Sequence, residues 1–332
     1  MRKILKFKKP SYIISSAAVG GREEGCGPLG KYFDFIDSTD RFSKDTWEKA
    51  EGEMGRLSLN FALKKAEVLP ESLDALFAGD LENQCVASSG GLYCFGIPYI
   101  GLYSACSTCT EALLLLSSMI SSGLIDTGAT VTTSHNSAAE RQFRTPIEYG
   151  AQRTPTSQWT ATAAGSFILS GDRKSNIYIN DGMIGKTVDG LTTDGANMGA
   201  AMARAAYDSV YTYFSLKEGY INEVDAIFTG DLGKIGSDIL RDLIRKDFPR
   251  AAEIHEDCGT LLYDMKKKNV NAGASGCGCS ASVLSTYVLP GLESGKFNNI
   301  LFLSTGALMS PQSILQGESI LGIAPVINIK RS

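Results

Sequence analysis

Residues 103–119 read YSACSTCTEALLLLSSM, and the layering of the whole chain turns on this stretch. From Ala112 to Leu116 every residue is apolar, and Met119 and Ile120 continue the pattern on the remaining sides. A helix with no polar face must lie buried between layers. Its predicted span, from Cys106 to about Ser121, begins directly after the strand-like run Ile97 to Tyr103. A thiol at a helix N-terminus meets unpaired N–H groups and a partial positive charge, which lower its pKa and favour anions. Cys106 is therefore open to three roles: nucleophile, metal ligand or packing.

The same order of features recurs further along. ESLDALFAGDLENQ at residues 71–84 matches NEVDAIFTGDLGKI at 222–235, pairing Asp74/Asp225, Ala75/Ala226, Phe77/Phe228, Gly79/Gly230, Asp80/Asp231 and Leu81/Leu232 at an offset of 151. ACSTCTEAL from Ala105 then matches GCGCSASVL from Gly276, with Cys106 over Cys277 at an offset of 171, and TVTTSHN from Thr130 lies over FLSTGAL from Phe302 at 172. A period this long means duplicated halves and not a solenoid, and the excess of about 20 residues is assigned to the first half, after its final strand. The halves are taken as residues 1–172 and 173–332. Asp80 and Asp231 read as symmetry-related turn residues.

Each half alternates helix and strand patterns. Helices are predicted over Asp45 to Val68, Met198 to Leu216, Ser237 to Lys246 and Gly278 to Leu289; strands over Asp74 to Gly79, Ala226 to Thr229, Asn299 to Ser304 and Ile320 to Ile329. The class is a layered α/β fold. With 43% hydrophobic residues among 332, the chain can bury a large core. Its formal net charge of -4 argues against nucleic acid as a partner. The basic clusters Arg2 to Lys9 and Lys266 to Lys268 read as a solvated strand edge and a helix end. No run reaches the ~18 apolar residues of a spanning helix. MRKILKFKKPSY has no apolar region after its basic residues, so no secretory signal is expected. Cytoplasmic synthesis follows, with membrane association only through a partner, and the eight dispersed cysteines are expected to be reduced thiols.

Two like halves, each with a buried helix opened by a cysteine, resemble the thiolase and ketoacyl synthase superfamily over nearly the whole chain. That resemblance implies a five-layered α-β-α-β-α fold built from two pseudo-twofold-related halves, with Cys106 in the nucleophile's position. The acid/base and oxyanion motifs that Claisen chemistry needs, His-Gln-Ala-Asn or Gly-His-Pro with Gly-Asn-Thr-Ser, are not intact here. His255 stands in EIHEDCGTLLYD, and GASGCGCSAS occupies the place of the asparagine motif. TSHNSAAERQFRTPIEYGAQ, HEDCGTLLYD, GASGCGCSAS and STGALMSPQSILQGESILGIAPV resemble a narrower group, the stage V sporulation protein AD family of spore-forming bacteria. Membership implies a catalytically inactive thiolase-like protein that binds dipicolinic acid, or its calcium chelate, and acts in its uptake with the other SpoVA membrane proteins. It also implies a homodimer, peripheral at the forespore or spore inner membrane, with no resident cofactor. The alternative is a thioester-dependent acyl transferase or condensing enzyme using Cys106.

Dipicolinate is a flat ring with two carboxylates, so its site should join helix N-termini and fork-shaped donors to an apolar slot. The candidates are Cys106 and Cys277 at the two helix starts, His135, Asn136, Arg141 and Arg144 after the strand that follows the first buried helix, and His255. Each has a plain structural reading beside it: inert buried thiols, a surface ion-pair loop, a hydrogen-bonded histidine flanked by Glu256 and Asp257. A zinc site built from Cys106, Cys109, Cys277 and Cys279 is disfavoured by its Cys-x-Cys pair within apolar helix.

Overall fold

A computed structural model describes residues 2–143, 153–266 and 270–332. Ten strands form the main sheet: β1 (Leu5–Gly20), β2 (Ala75–Gly79), β3 (Tyr99–Gly101), β4 (Thr127–Ser134), β5 (Ala163–Ser170), β6 (Ile177–Met183), β7 (Ala226–Thr229), β8 (His255–Asp257), β9 (Asn299–Leu303) and β10 (Val326–Arg331). Their spatial order is β3-β2-β4-β5-β1-β6-β10-β9-β7-β8, and the two-residue strand Phe35–Ile36 pairs with β1. Read from either edge, the order repeats. β2 pairs parallel with β3 and β4, while β5 runs antiparallel to β4 and β1. β7 likewise pairs parallel with β8 and β9, while β10 runs antiparallel to β9 and β6. The repeated sequence therefore builds a repeated half-sheet, and β1 joins β6 antiparallel at the seam, Leu5 opposite Gly182.

Strands covered on both faces should be apolar throughout, and β9, NILFL, is buried at every position. Pleating sends alternate side chains to different layers. Ile300 and Phe302 enter a central core with Phe167, Phe228 and Leu113, whereas Leu301 and Leu303 enter an outer core with Met202, Val210 and Phe214. On the other half, Phe77 points to the central core, and Leu76 points outward toward Leu59 and Leu63. Three helical layers follow. Helix α1 (Trp47–Ala66) and the helix α5 (Met198–Leu216) cover the outsides; α3 (Thr108–Ser121) and α7 (Cys277–Val283) fill the middle. Among the further helices, α2 (Val86–Leu92) adds Leu92 to the outer core of α1, α6 (Gly233–Ile244) adds Leu240 and Ile244 to that of α5, and α4 (Asn136–Phe143) follows β4.

Helix α3 earns its central place through Leu113, Leu114 and Leu116, each at most 2% exposed and each contributing about 2 kcal/mol by burial. Helix α1 starts where the Thr46 side chain accepts from the Lys49 N–H at 3.3 Å and stops at Glu67 in the left-handed conformation. Gly278 to Leu289, predicted as one helix, continues from α7 through a π-helical turn, Leu284–Val288, to Leu289–Glu293. Pro290, which has no N–H to return to the preceding turn, sits just beyond that widening. The predicted strand Ile320 to Ile329 divides at Pro325 into Leu321–Ile323 and β10.

One expectation is corrected. The excess residues lie in the second half: Asp80 precedes Cys106 by 26 positions, and Asp231 precedes Cys277 by 46. The Arg2 to Lys9 segment opens β1, a central strand, but its own residues pair on one side only, Leu5 and Lys6 with β6, while pairing with β5 starts at Tyr12, so this stretch is a solvated edge as expected. Leu5 and Phe7 pack on the central core and Lys6 and Lys8 face solvent, an alternation hidden in the sequence by the density of lysines. Lys267 and Lys268 lie outside the described residues. Among the described residues, no helix is long and apolar enough to cross a membrane.

Candidate functional site

The two repeated cysteines meet. Cys106 lies in a 3-10 turn, Ala105–Ser107, that leads into α3, and Cys277 is the first residue of α7. Both join a small cluster with Leu81, Ala139 and Phe143. Gly276 makes this approach possible: its φ of 99° is a conformation that side-chain-bearing residues rarely adopt. A Cβ on the next glycine, Gly278, would lie 2.0 Å from the Ala163 carbonyl oxygen, so α7 sits directly on β5.

A cavity of about 760 Å³ opens beside Cys106, between the halves. Leu81, Tyr103 and Phe143 line it from the first half, and Met198, Ala307 and Met309 from the second. Ser275 and Thr160 add hydroxyls from the short paired strands Ala274–Ser275 and Trp159–Thr160.

Asp231, placed by the sequence among turn residues, is instead the partner of Cys106. It is fully buried; its Oδ2 accepts from the Gly276 N–H at 2.9 Å and its Oδ1 from the Thr305 hydroxyl at 2.9 Å. The Cys106 thiol faces the same carboxyl closely enough for each to shift the other's titration. Burial pushes the Asp231 carboxyl up to about 7. Burial, followed by the Asp231 charge, drives the Cys106 thiol well above its ordinary range. Desolvation thus outweighs the helix N-terminus, and the lowered thiol pKa expected from position alone does not hold. Cys277, also raised by burial, donates its S–H to the Thr133 carbonyl at 2.9 Å and does not line the cavity. Cys109 packs one turn further into α3, with burial pushing its thiol up to about 12.

The remaining candidates lie elsewhere. His135 is buried at the end of β4. The Ser137 N–H donates to its Nδ1 at 3.1 Å, so Nε2–H donates to the Asp40 carbonyl at 2.8 Å; Trp47 packs on the ring at 5.2 Å. Asn136 gives its N–H to the Thr162 hydroxyl at 3.1 Å. Arg141 forms an ion pair with Glu48. None of the three lines the cavity; His135 and Arg141 face α1 and the loop before it instead. Arg144 lies outside the described residues. His255 sits on the edge strand β8. Thr229 donates to Asp257 at 2.7 Å and accepts from His255 Nε2 at 2.8 Å, and burial lowers the imidazole to about 3. It is a neutral structural histidine away from the cavity. Among the described residues, no group of three or more His, Cys, Asp or Glu is placed to hold a metal ion.

Sequence reasoning also missed Arg153 and Glu140, which line the cavity and pair at 2.6 Å. No spacing marks Arg153. Its position is defined by the Trp159 ring, 4.5 Å from the guanidinium, and by the Gln158 carbonyl, which accepts at 3.1 Å. For Asp231 a signal existed: the repeat offset places it at a strand end facing the duplicated cysteine turns.

Comparison with known proteins sets this geometry in context. A family profile described as Stage V sporulation protein AD matches residues 1–330. Stage V sporulation protein AD of Bacillus subtilis (strain 168) is 36% identical over 326 residues, 98% of this chain and 96% of that protein. Among solved structures, 3-oxoacyl-[acyl-carrier-protein] synthase III from Aquifex aeolicus superposes with a TM-score of 0.58 at 12% identity, covering 97% of this chain and 100% of that one. Cerulenin-bound OleA of Xanthomonas campestris gives 0.62 at 12% identity, covering 97% and 99%. At that identity these two show the fold alone, a thiolase-like one.

Proposed function

The chain belongs to the stage V sporulation protein AD family, sporulation proteins on a thiolase-like fold, and from that premise we propose that it binds dipicolinic acid without transforming it. In this reading it takes part in dipicolinate uptake into the developing spore, working with the other SpoVA membrane proteins and lying peripherally at the forespore or spore inner membrane. It carries no resident cofactor; calcium arrives, if at all, chelated by the ligand.

The observation that carries the non-catalytic reading is the pairing of Cys106 with Asp231. Condensing chemistry asks for a thiolate and a neighbouring base that cycles near neutral pH. Here the thiol is held protonated by burial and by a carboxyl, and both histidines are engaged away from the cavity. What is left is a cavity with apolar walls, a polar floor and a volume within the usual 300–1,000 Å³ range of small-ligand sites.

A homodimer fits the outer edge of the first half-sheet. All three residues of β3, Tyr99 and Ile100 among them, are exposed on the edge of the sheet, and Tyr93 and Tyr103 add exposed apolar surface around it. A second copy pairing there would cover both.

Calorimetric titration with dipicolinate, with and without calcium, tests the binding role; saturable heat is expected, and its absence would sink the proposal. The competing role, an acyl transferase or condensing enzyme, predicts an acyl adduct on Cys106 after incubation with acyl-CoA. An intact mass unchanged by acyl-CoA is the expected result.

A further inference from the structure

We infer that Arg153 is the residue that selects carboxylates in the cavity, and that Glu140 is a resident stand-in which an incoming carboxylate replaces. The inference rests on the cavity being the ligand site proposed above, and it deepens that reading by naming the group that recognises the ligand and the group that must move.

A carboxylate entering a largely apolar cavity gives up its water and must recover that free energy from a cation or several donors. Among the described residues lining this cavity, Arg153 is the one cationic side chain. Its side chain is 21% exposed and Glu140 22%, so the pair sits at the wall, neither sealed in the core nor free in solvent. The 2.6 Å contact between Arg153 Nη2 and Glu140 Oε1 already displays the arginine–carboxylate geometry that a ligand carboxylate would adopt.

The guanidinium does not depend on Glu140 for its position. Its other terminal nitrogen, Nη1, donates to the Gln158 carbonyl at 3.1 Å, and its plane lies 4.5 Å from the Trp159 ring centre. The strand Trp159–Thr160 pairs with Ala274–Ser275, which runs directly into Gly276 and Cys277. Arg153 is thus anchored to the segment that forms the cavity floor. Glu140 is carried on α4, a separate element whose next residue, Arg141, is exposed. Exchange of one carboxylate for another leaves the arginine charge neutralised at every stage. The second carboxylate of a diacid then lies toward the Ser275 and Thr160 hydroxyls.

The test is calorimetric titration of the full chain with dipicolinate, comparing the wild type with Arg153→Gln, Arg153→Lys and Glu140→Gln, each checked for native circular dichroism. Loss of a charge-assisted hydrogen-bonded pair predicts roughly 10- to 100-fold weaker binding for Arg153→Gln and a smaller loss for Arg153→Lys, which keeps the charge without the fork. Glu140→Gln removes the competitor and is expected to bind several-fold more tightly. If the wild type binds and Arg153→Gln binds within twofold of it, the assignment is wrong. If Glu140→Gln weakens binding as much as Arg153→Gln, the pair is a structural brace and the exchange fails. If the wild type itself gives no saturable heat, the proposed function falls and takes this assignment with it.

Discussion

Asp80 and Asp231 occupy the same place in the two halves, yet they do different work. Asp80 closes a turn within its own half: it accepts from the Glu82 N–H at 2.7 Å, the Ser88 N–H at 2.7 Å and the Ser88 hydroxyl at 2.6 Å. Asp231 holds the Gly276 N–H and the Thr305 hydroxyl of its own half and faces the Cys106 thiol of the other. The cysteines diverge in step with them. Cys106 borders the cavity beside a carboxyl, whereas Cys277 is sealed against the Thr133 carbonyl. Duplication supplied two equivalent strand ends and two equivalent helix starts. One diagonal pair, Asp231 with Cys106, became the floor of a site while the other became scaffold.

The largest effect expected on that contrast is from Asp80→Ala. Two buried N–H groups lose their acceptor at about 1–3 kcal/mol each and the Ser88 hydroxyl falls back on the Cys85 carbonyl and Tyr99 hydroxyl, so unfolding in urea should show a loss of about 5 kcal/mol. Dipicolinate affinity of the protein that remains folded should stay within twofold. A comparable loss of binding would show that the two aspartates are not functionally distinct.

Next comes Asp231→Asn. A carboxyl raised to about 7 in the fold and near 4 in the unfolded chain costs stability wherever the unfolded chain is ionised. Its penalty is absent below about pH 4, grows as pH rises to about 7, and is constant above, reaching at most about 4 kcal/mol. Glu24 and Glu82, both pushed up to about 7 by burial, act in the same direction. The wild-type melting temperature should therefore decline from pH 5 to pH 7.5, and Asp231→Asn should flatten part of that decline. Equal slopes for both proteins would contradict the assigned shift.

The smallest effect is on thiol chemistry. Removing the Asp231 charge lowers the Cys106 pKa, and each unit gives about tenfold more thiolate. Alkylation of Cys106 at pH 8, followed by mass spectrometry, should quicken by about tenfold in Asp231→Asn, with Cys277 unchanged. Identical rates at Cys106 would place the carboxyl outside its sphere.

Much of the architecture was legible because repetition and periodicity are local signals. The match of 71–84 with 222–235 located β2 and β7, and the leucine run located α3 between the two half-sheets. β1 was harder. Its lysine-rich start reads as surface, and its continuation, SSAAVG, has small side chains that carry little strand signal. The site was less legible still. His255 drew attention as one of only two histidines, but its strand lies at the sheet edge, where Thr229 and Asp257 hold it. Asp231 looked structural because its twin is structural. Arg153 becomes meaningful only once Trp159 and Glu140 have been folded around it.

The seam strands carry a consequence for how this chain is made. β10, residues Val326–Arg331, lies between β9 and β6, with Val326 opposite Met183 and Ile300 opposite Ile329. A polypeptide leaving the ribosome N-terminus first has β6 in hand for nearly 150 residues before its neighbour emerges. Until then β6 presents an open backbone edge, and α3 has only one of its two covering layers. The interval is long enough for non-native pairing between nascent chains, so this fold should depend on chaperone attention late in synthesis more than its native packing suggests.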